Sequence, residues 1–235
     1  AHTFEAVASE HPGYIQVSET NPDYFETSRT KEIFWASGSN IAWTRPNEYG
    51  NPPTYEYYLG RADQQMNATR VWLCHWAWLE WMPHQPAKGT NWLGYGGLGY
   101  YNQMIADSLD SVLELAEARN IRVMLVTEDN NEVFPGKQKD AWSANPYNQI
   151  NGGPCKTPPE LFSNAVARRH YRNRLRYIVA RWGYSPSLWA INAWNDCSNP
   201  RPETLNWLQE MHDYVHGLAK DWRPMIYGTN YSYDA

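Results

Sequence analysis

Short apolar runs and longer amphipathic stripes alternate along almost the whole chain, and this alternation limits the possible folds more than any other feature. The clearest stripe is Ile105, Leu109, Val112, Leu113 and Ala116, which recur at helical spacing with Asp107, Asp110, Glu114 and Glu117 outside it. Ile121–Thr127 follows, a near-continuous apolar run of the kind that forms a strand buried on both faces. The succession repeats downstream. Tyr171, Leu175, Ile178 and Trp182 stripe a helix that ends at Gly183 and Pro186, and Leu188–Trp194 follows as a strand. Leu205, Leu208, His212, Val215 and Trp222 stripe another helix, with Met225–Asn230 as the strand after it. Upstream, Ile33–Trp43 and Arg70–Trp76 are the first two strands, separated by a short helix over Tyr55–Asn67 that Gly60 weakens. Long loops, Trp78–Tyr101 and Glu128–Pro159, follow strands two and three.

Strands that take turns with helices form βαβ units and hence a parallel sheet. A doubly wound nucleotide binder needs a Gly-rich turn after its first strand, and Ser39-Asn40-Ile41-Ala42-Trp43 offers none. Long loops after strands two and three suit the active face of a closed barrel, where such loops build the site. The sequence therefore predicts an α/β fold of the TIM-barrel kind over residues 33–235, preceded by an irregular lead-in over 1–32 that is rich in Pro, Asn and Ser.

Composition narrows the function. The net charge of −5 comes from interspersed acids and bases, with no basic run of the sort that grips nucleic acid. No apolar stretch approaches the roughly 20 residues that a membrane-spanning helix needs. Neither HExxH nor clustered cysteine ligands nor an acidic calcium loop is present, so neither a metal nor another cofactor is predicted. Cys74, Cys155 and Cys197 fit three buried thiols, or one disulfide and a free thiol. The chain starts Ala-His-Thr, which reads as a processed or excised piece, and Asn67-Ala-Thr69 and Asn230-Tyr-Ser232 match the glycosylation acceptor pattern. The 13 Trp and 17 Tyr are a heavy aromatic load. Such rings either fill a core or stack on sugars.

The strand ends carry the chemistry. Asn40 and Trp43 close strand one, His75 and Trp76 strand two, Glu128 and Asp129 strand three, and Asn195 and Asp196 strand four. Acids to protonate a leaving oxygen, amides for hydroxyls and rings for stacking are the materials of a sugar-cleaving site. Any parallel barrel also has polar residues where its strands meet water, so this pattern alone leaves both readings open.

Longer motifs are more specific. Arg176-Tyr-Ile-Val-Ala-Arg-Trp-Gly-Tyr-Ser-Pro-Ser-Leu-Trp-Ala-Ile-Asn-Ala-Trp-Asn-Asp196 resembles the helix and fourth strand of bacterial cellulase-like TIM-barrel glycoside hydrolases. Asn67-Ala-Thr-Arg-Val-Trp-Leu-Cys-His-Trp76 is similar to their second strand, Tyr95-Gly-Gly-Leu-Gly-Tyr-Tyr-Asn102 to the loop beyond it, and Asn145-Pro-Tyr-Asn-Gln-Ile-Asn-Gly-Gly-Pro-Cys155 to the loop after strand three. The resemblance implies a retaining glycosidase-type site acting on a polysaccharide outside the cell or in the periplasm. Arg70 would orient the nucleophile carboxylate, Asn195 would bind the hydroxyl beside the reacting carbon, and the next residue would be the acid/base. His75, Trp76, Trp43, Asn40 and Glu128 would line the substrate; for His75 pairing with a nearby acid, and for Glu128 and Asp129 capping of a loop, are the alternatives.

Two departures from that family stand out. The acid/base position holds Asp196 instead of Glu, one methylene shorter. The family's nucleophile lies on strand seven, whereas the strands here number about five of the eight in a (β/α)8 barrel, which makes the expected barrel incomplete. Five parallel strands should leave two open edges and an uncovered inner face. A missing remainder, a companion fragment or another copy of the chain would cover them. A non-catalytic glycan-binding or structural relative is the competing reading.

Overall fold

The computed structural model describes residues 5, 10–42, 59, 66–73, 79–80, 97–133, 141–197, 201–218 and 225–230; side chains are described for all of these except 39–42, 104, 131–132, 141, 144, 197 and 225–230. Five parallel strands form the main sheet in chain order: β4 (Gly38–Ala42), β5 (Ala68–Trp72), β6 (Arg122–Val126), β7 (Leu188–Cys197) and β8 (Met225–Asn230). Consecutive strands lie side by side, which is the order a barrel requires and a doubly wound sheet does not have. Three long helices accompany it: α1 (Gln103–Ala118), α5 (Ala165–Trp182) and α6 (Pro202–Leu218).

Side-chain alternation divides the sheet into two faces. Val71, Leu73, Val123, Leu125 and Ile191 are buried in one cluster with Ile105, Leu109, Val112 and Leu113 of α1, Tyr171, Leu175 and Ile178 of α5, and Trp207 and Met211 of α6. That cluster is the helix-facing core predicted for α1 and α5; on α6 the buried face is Thr204, Trp207, Met211 and Val215, and of the predicted stripe Leu205 is exposed and Leu208 and His212 are half-buried. Arg70 and Trp72 alternate with Val71 and Leu73 on β5, and Trp72 packs with Val126 apart from the helical core. Much of the aromatic load is core. Trp182, Trp194 and Trp207 are fully buried, and Phe162 stacks against both Trp194 and Trp207 at centroid distances of 4.6 and 5.4 Å.

Local chemistry sets the helix ends. The Asn164 side chain accepts from the backbone N–H groups of Val166 and Ala167, capping α5 a turn and a half before its apolar stripe begins. Pro202 opens α6, with Glu203 in the first turn. Asp110 of α1 accepts from Arg181 Nη2 at 2.6 Å and from Trp182 Nε1 at 2.6 Å, locking α1 to the end of α5.

The lead-in differs from expectation. Within 1–32, Ile15–Val17 forms β1 and Phe25–Thr27 forms β2, and these pair antiparallel with β3, Ile33–Phe34. The predicted first strand, Ile33–Trp43, is thus split between two sheets. Strands of two or three residues are too short to show a period in the sequence. Ile15, Phe25 and Phe34 pack on Trp189, Ala190 and Met124, with both Phe rings edge-on to Trp189 at 5.6 Å. The inner face is therefore not left uncovered at this end: the small antiparallel sheet closes it.

The loop after strand three is also more ordered than predicted. It contains α2 (Asn130–Val133), α3 (Ala141–Ala144), a 3-10 turn at Gln149–Asn151 and α4 (Glu160–Ser163). Gly153 lies so close to Tyr147 that a Cβ would sit 2.2 Å from its carbonyl carbon. The predicted helix over Tyr55–Asn67 and most of the Trp78–Tyr101 loop lie outside the described residues.

Two expected outcomes test this frame. Glu26 accepts from Ser18 Oγ at 2.7 Å, Gln16 Nε2 at 3.0 Å and Lys31 Nζ at 3.1 Å. The hydrogen bond from Ser18 leads in holding its carboxyl down at about 2. A depressed carboxyl stabilises the fold above its unfolded pKa of about 4.3, and that contribution fades as pH falls through the folded value. Thermal unfolding should show wild type more stable than Glu26→Gln at neutral pH, with the gap narrowing below about pH 4 and closing near pH 2. The second concerns Asn67, whose Nδ2 donates to Trp35 O at 2.8 Å while its Oδ1 accepts from Ser37 N at 2.8 Å. An amide committed at both ends is a poor glycan acceptor. Peptide mass mapping of material produced in a glycosylating host should find Asn67 unmodified.

Candidate active site

Parallel strands deliver their C-terminal residues to one rim, and three neighbours meet there. Arg70 stands on β5, Asp129 follows β6, and Asn195 and Asp196 lie near the end of β7. Backbone pairing sets the heights: Asn195 N donates to Glu128 O at 2.9 Å, and Asn195 bridges Asp129 in parallel register.

The Asn195 amide is the hub. Arg70 Nη2 donates to its Oδ1, and its Nδ2 donates to Asp129 Oδ1 at 2.7 Å. It also donates to the Asp196 carboxyl. A cation on one end and carboxylates on the other fix which way the amide points. The Arg70 guanidinium lies 5.5 Å from the Trp72 ring, and its buried Nε has no acceptor among the described residues. Asp196 is half-buried, whereas Asn195 and Asp129 are fully so. Burial pushes the Asp196 carboxyl up, the negative charge of Asp129 adds to the rise, and Arg70 and the Asn195 hydrogen bond only partly offset them.

The Asp196 backbone is unusual, with φ at 53° in the left-handed region. Asp and Asn enter that region more readily than other side chains with a Cβ. The β7–β8 pairing shifts register between Trp194 and Cys197, which is where the chain accommodates the twist.

Beneath the rim is a charge cluster. Arg174 of α5 is fully buried and donates through Nη2 to Leu73 O at 2.9 Å. Its Nε lies 3.2 Å from Glu80, and its Nη1 lies 3.7 Å from Glu128, both equally buried. Burial opposes the charge on Arg174, but Glu80, Tyr171 and Glu128 outweigh it and raise its pKa. Burial wins at Glu80 and pushes that carboxyl up despite Arg174. The Tyr171 hydroxyl donates to Ala193 O at 3.0 Å and meets Thr127 Oγ1 at 2.8 Å, joining α5 to both β6 and β7.

Arg70, Asn195 and Asp196 thus lie together at the rim. Asn40 pairs with Arg70 in backbone register, its side chain lying outside the described residues, as do His75, Trp76 and Trp43 altogether. Glu128 is fully buried, with its carboxylate 3.7 Å from Arg174 in the interior cluster. Arg174 and Glu80 were not singled out from sequence. The available signal was a charged residue three positions after Tyr171 on the apolar stripe. Cys155 is buried and unbridged, and burial pushes its thiol up to about 12, so it is an inert packing residue.

This layout is similar in fold to solved glycoside hydrolases. A β-1,4-D-mannanase from Cryptopygus antarcticus superposes with a TM-score of 0.61 at 14% identity, over 93% of this chain and 61% of that one. An endo-β-1,4-mannanase from Thermotoga petrophila gives 0.56 at 16% identity, over 86% and 44%. In sequence, mannan endo-1,4-beta-mannosidase 5 of Solanum lycopersicum is 29% identical over 220 residues, 88% of this chain and 48% of its own length. The chain spans about half the length of the curated relatives that match along most of it. No protein-family model matches it.

Replacing Arg174 by Met would strand two buried carboxylates. Urea titration should show a loss of about 3–5 kcal/mol at neutral pH. The loss should shrink on acidification, because neutral Glu80 and Glu128 need no counter-charge, and Glu80→Gln in the same background should recover part of it.

Proposed function

We propose that this chain carries the acid/base side of a retaining-type glycosidase site that acts on a β-1,4-linked mannan or a close relative of it. The observation that carries the reading is the Arg70–Asn195–Asp196 constellation at the C-terminal rim. Asp196, the half-exposed member, is the acid/base: its raised pKa favours the protonated form that a general acid needs. Asn195 orients the sugar hydroxyl beside the reacting carbon. The Arg70 Nε, which has no acceptor among the described residues, is a donor suited to the nucleophile carboxylate of a retaining site. The mannanase relatives support the choice of polysaccharide.

A second reading has its own observation. Asp is shorter than Glu by one C–C bond, about 1.5 Å, and misplacement of about 1 Å can cost on the order of 100-fold in rate. A protein that kept the cleft and lost the acid would bind glycan without cleaving it.

Hydrolysis of manno-oligosaccharides by the full-length protein separates the two. The enzyme reading expects turnover that Asp196→Asn lowers by about 100-fold or more, with oligosaccharide affinity retained. Wild type and Asp196→Glu both inert, while oligosaccharides still bind, would establish the binding protein instead.

A further inference from the structure

The reading above assigns no role to Asp129, yet Asp129 is fully buried, follows β6 beside Asn195 and accepts a hydrogen bond from the Asn195 side-chain amide. We propose that Asp129 is a positioning residue of this site: it fixes the Asn195 amide against Arg70 and sets a second carboxylate beside Asp196. The inference rests on the reading of this rim as a glycan-acting site, and its consequences for Asp196 are measurable without turnover.

The geometry requires two things of Asp129. An amide has nearly the same shape in its two flipped states, and only the surrounding donors and acceptors choose between them. Arg70 offers donors alone, and an ionised Asp129 offers acceptors alone, so Asn195 turns its oxygen to β5 and its nitrogen to β6. With that orientation fixed, the amide nitrogen also reaches the Asp196 carboxyl. An acid one methylene short has less freedom to find its own place, and a neighbour that holds the amide next to it supplies the missing constraint. The second requirement is charge. Among the described residues, the groups that act on Asp196 include Asp129 from beyond β6, Arg70 from β5, and the neutral Asn195 amide on its own strand. Burial leads in raising the Asp196 carboxyl, and Asp129 adds to that rise while Arg70 favours the carboxylate, so Asp129 helps to keep a proton available at Asp196.

The test is a carboxyl carbon NMR titration of Asp196 in the full-length protein, with the resonance assigned by its disappearance in Asp196→Asn. In Asp129→Asn the Asp196 midpoint should move down from its wild-type position. In Asp129→Glu, which keeps the charge and displaces the contact, it should stay raised. Hydrolysis should follow a different pattern: Asp129→Asn should move the acid–base limb of the pH profile, and both variants should lower kcat by up to about 100-fold with a smaller change in KM. Should Asp129→Asn fold poorly, the Asp129→Glu titration alone decides whether a displaced charge still acts on Asp196. An Asp196 midpoint unmoved by Asp129→Asn, or a midpoint in Asp129→Glu at the ordinary carboxylate position, overturns the proposal. A shifted midpoint in a protein that never cleaves glycan would uphold the role of Asp129 and overturn only the enzyme reading.

Discussion

One buried guanidinium underlies the arrangement of the rim. Arg174 reaches from the middle of α5 to the carbonyl that ends β5, to Glu128 just past β6 and to Glu80 beyond β5. Burying a charge is costly unless its partners are buried with it in good geometry. Here the cation is matched by two carboxylates and a carbonyl, and all three belong to strand ends or the segments leaving them. The cluster therefore fixes relative heights more than it adds stability. Glu128 is held by its side chain from below while its own carbonyl receives the Asn195 N–H, so the position of α5 is passed directly to the residues at the mouth of the sheet.

That transfer works only if α5 itself is rigid, and the sequence provides for it at both ends. Asn164 caps its first turn, and Arg181 and Trp182 bind Asp110 near its last. Arg168 and Arg172 both face Glu210, tying its exposed side to α6. Tyr171, the first residue of its apolar stripe, adds hydrogen bonds to Thr127 just past β6 and to Ala193 of β7. A helix that only filled space would need its apolar stripe; this one also carries the polar groups that set the site.

The fold was legible where periods are long. The stripe on α1 and the run Arg122–Val126 are unambiguous because they span several turns or a full strand, and their burial follows. The antiparallel β1–β3 sheet was not legible, since its strands are too short for a period and its purpose, covering Trp189, is set by residues far away in sequence. At the site, Arg70, Asn195 and Asp196 were found by motif, and their meeting confirms nothing more than that the strands align. At Glu128 the sequence is less informative, because a carboxylate at a strand end looks the same whether it faces a ligand or the interior, and its nearness to Arg174 of α5 depends on residues far apart in the chain.

The left-handed backbone at Asp196 links the identity of that residue to the path of the chain. Short polar side chains tolerate this conformation because they can bond to their own backbone, and longer ones gain no such relief. The short acid thus suits the turn that the main chain takes at the mouth of this sheet, and a Glu in its place regains reach while bearing more backbone strain.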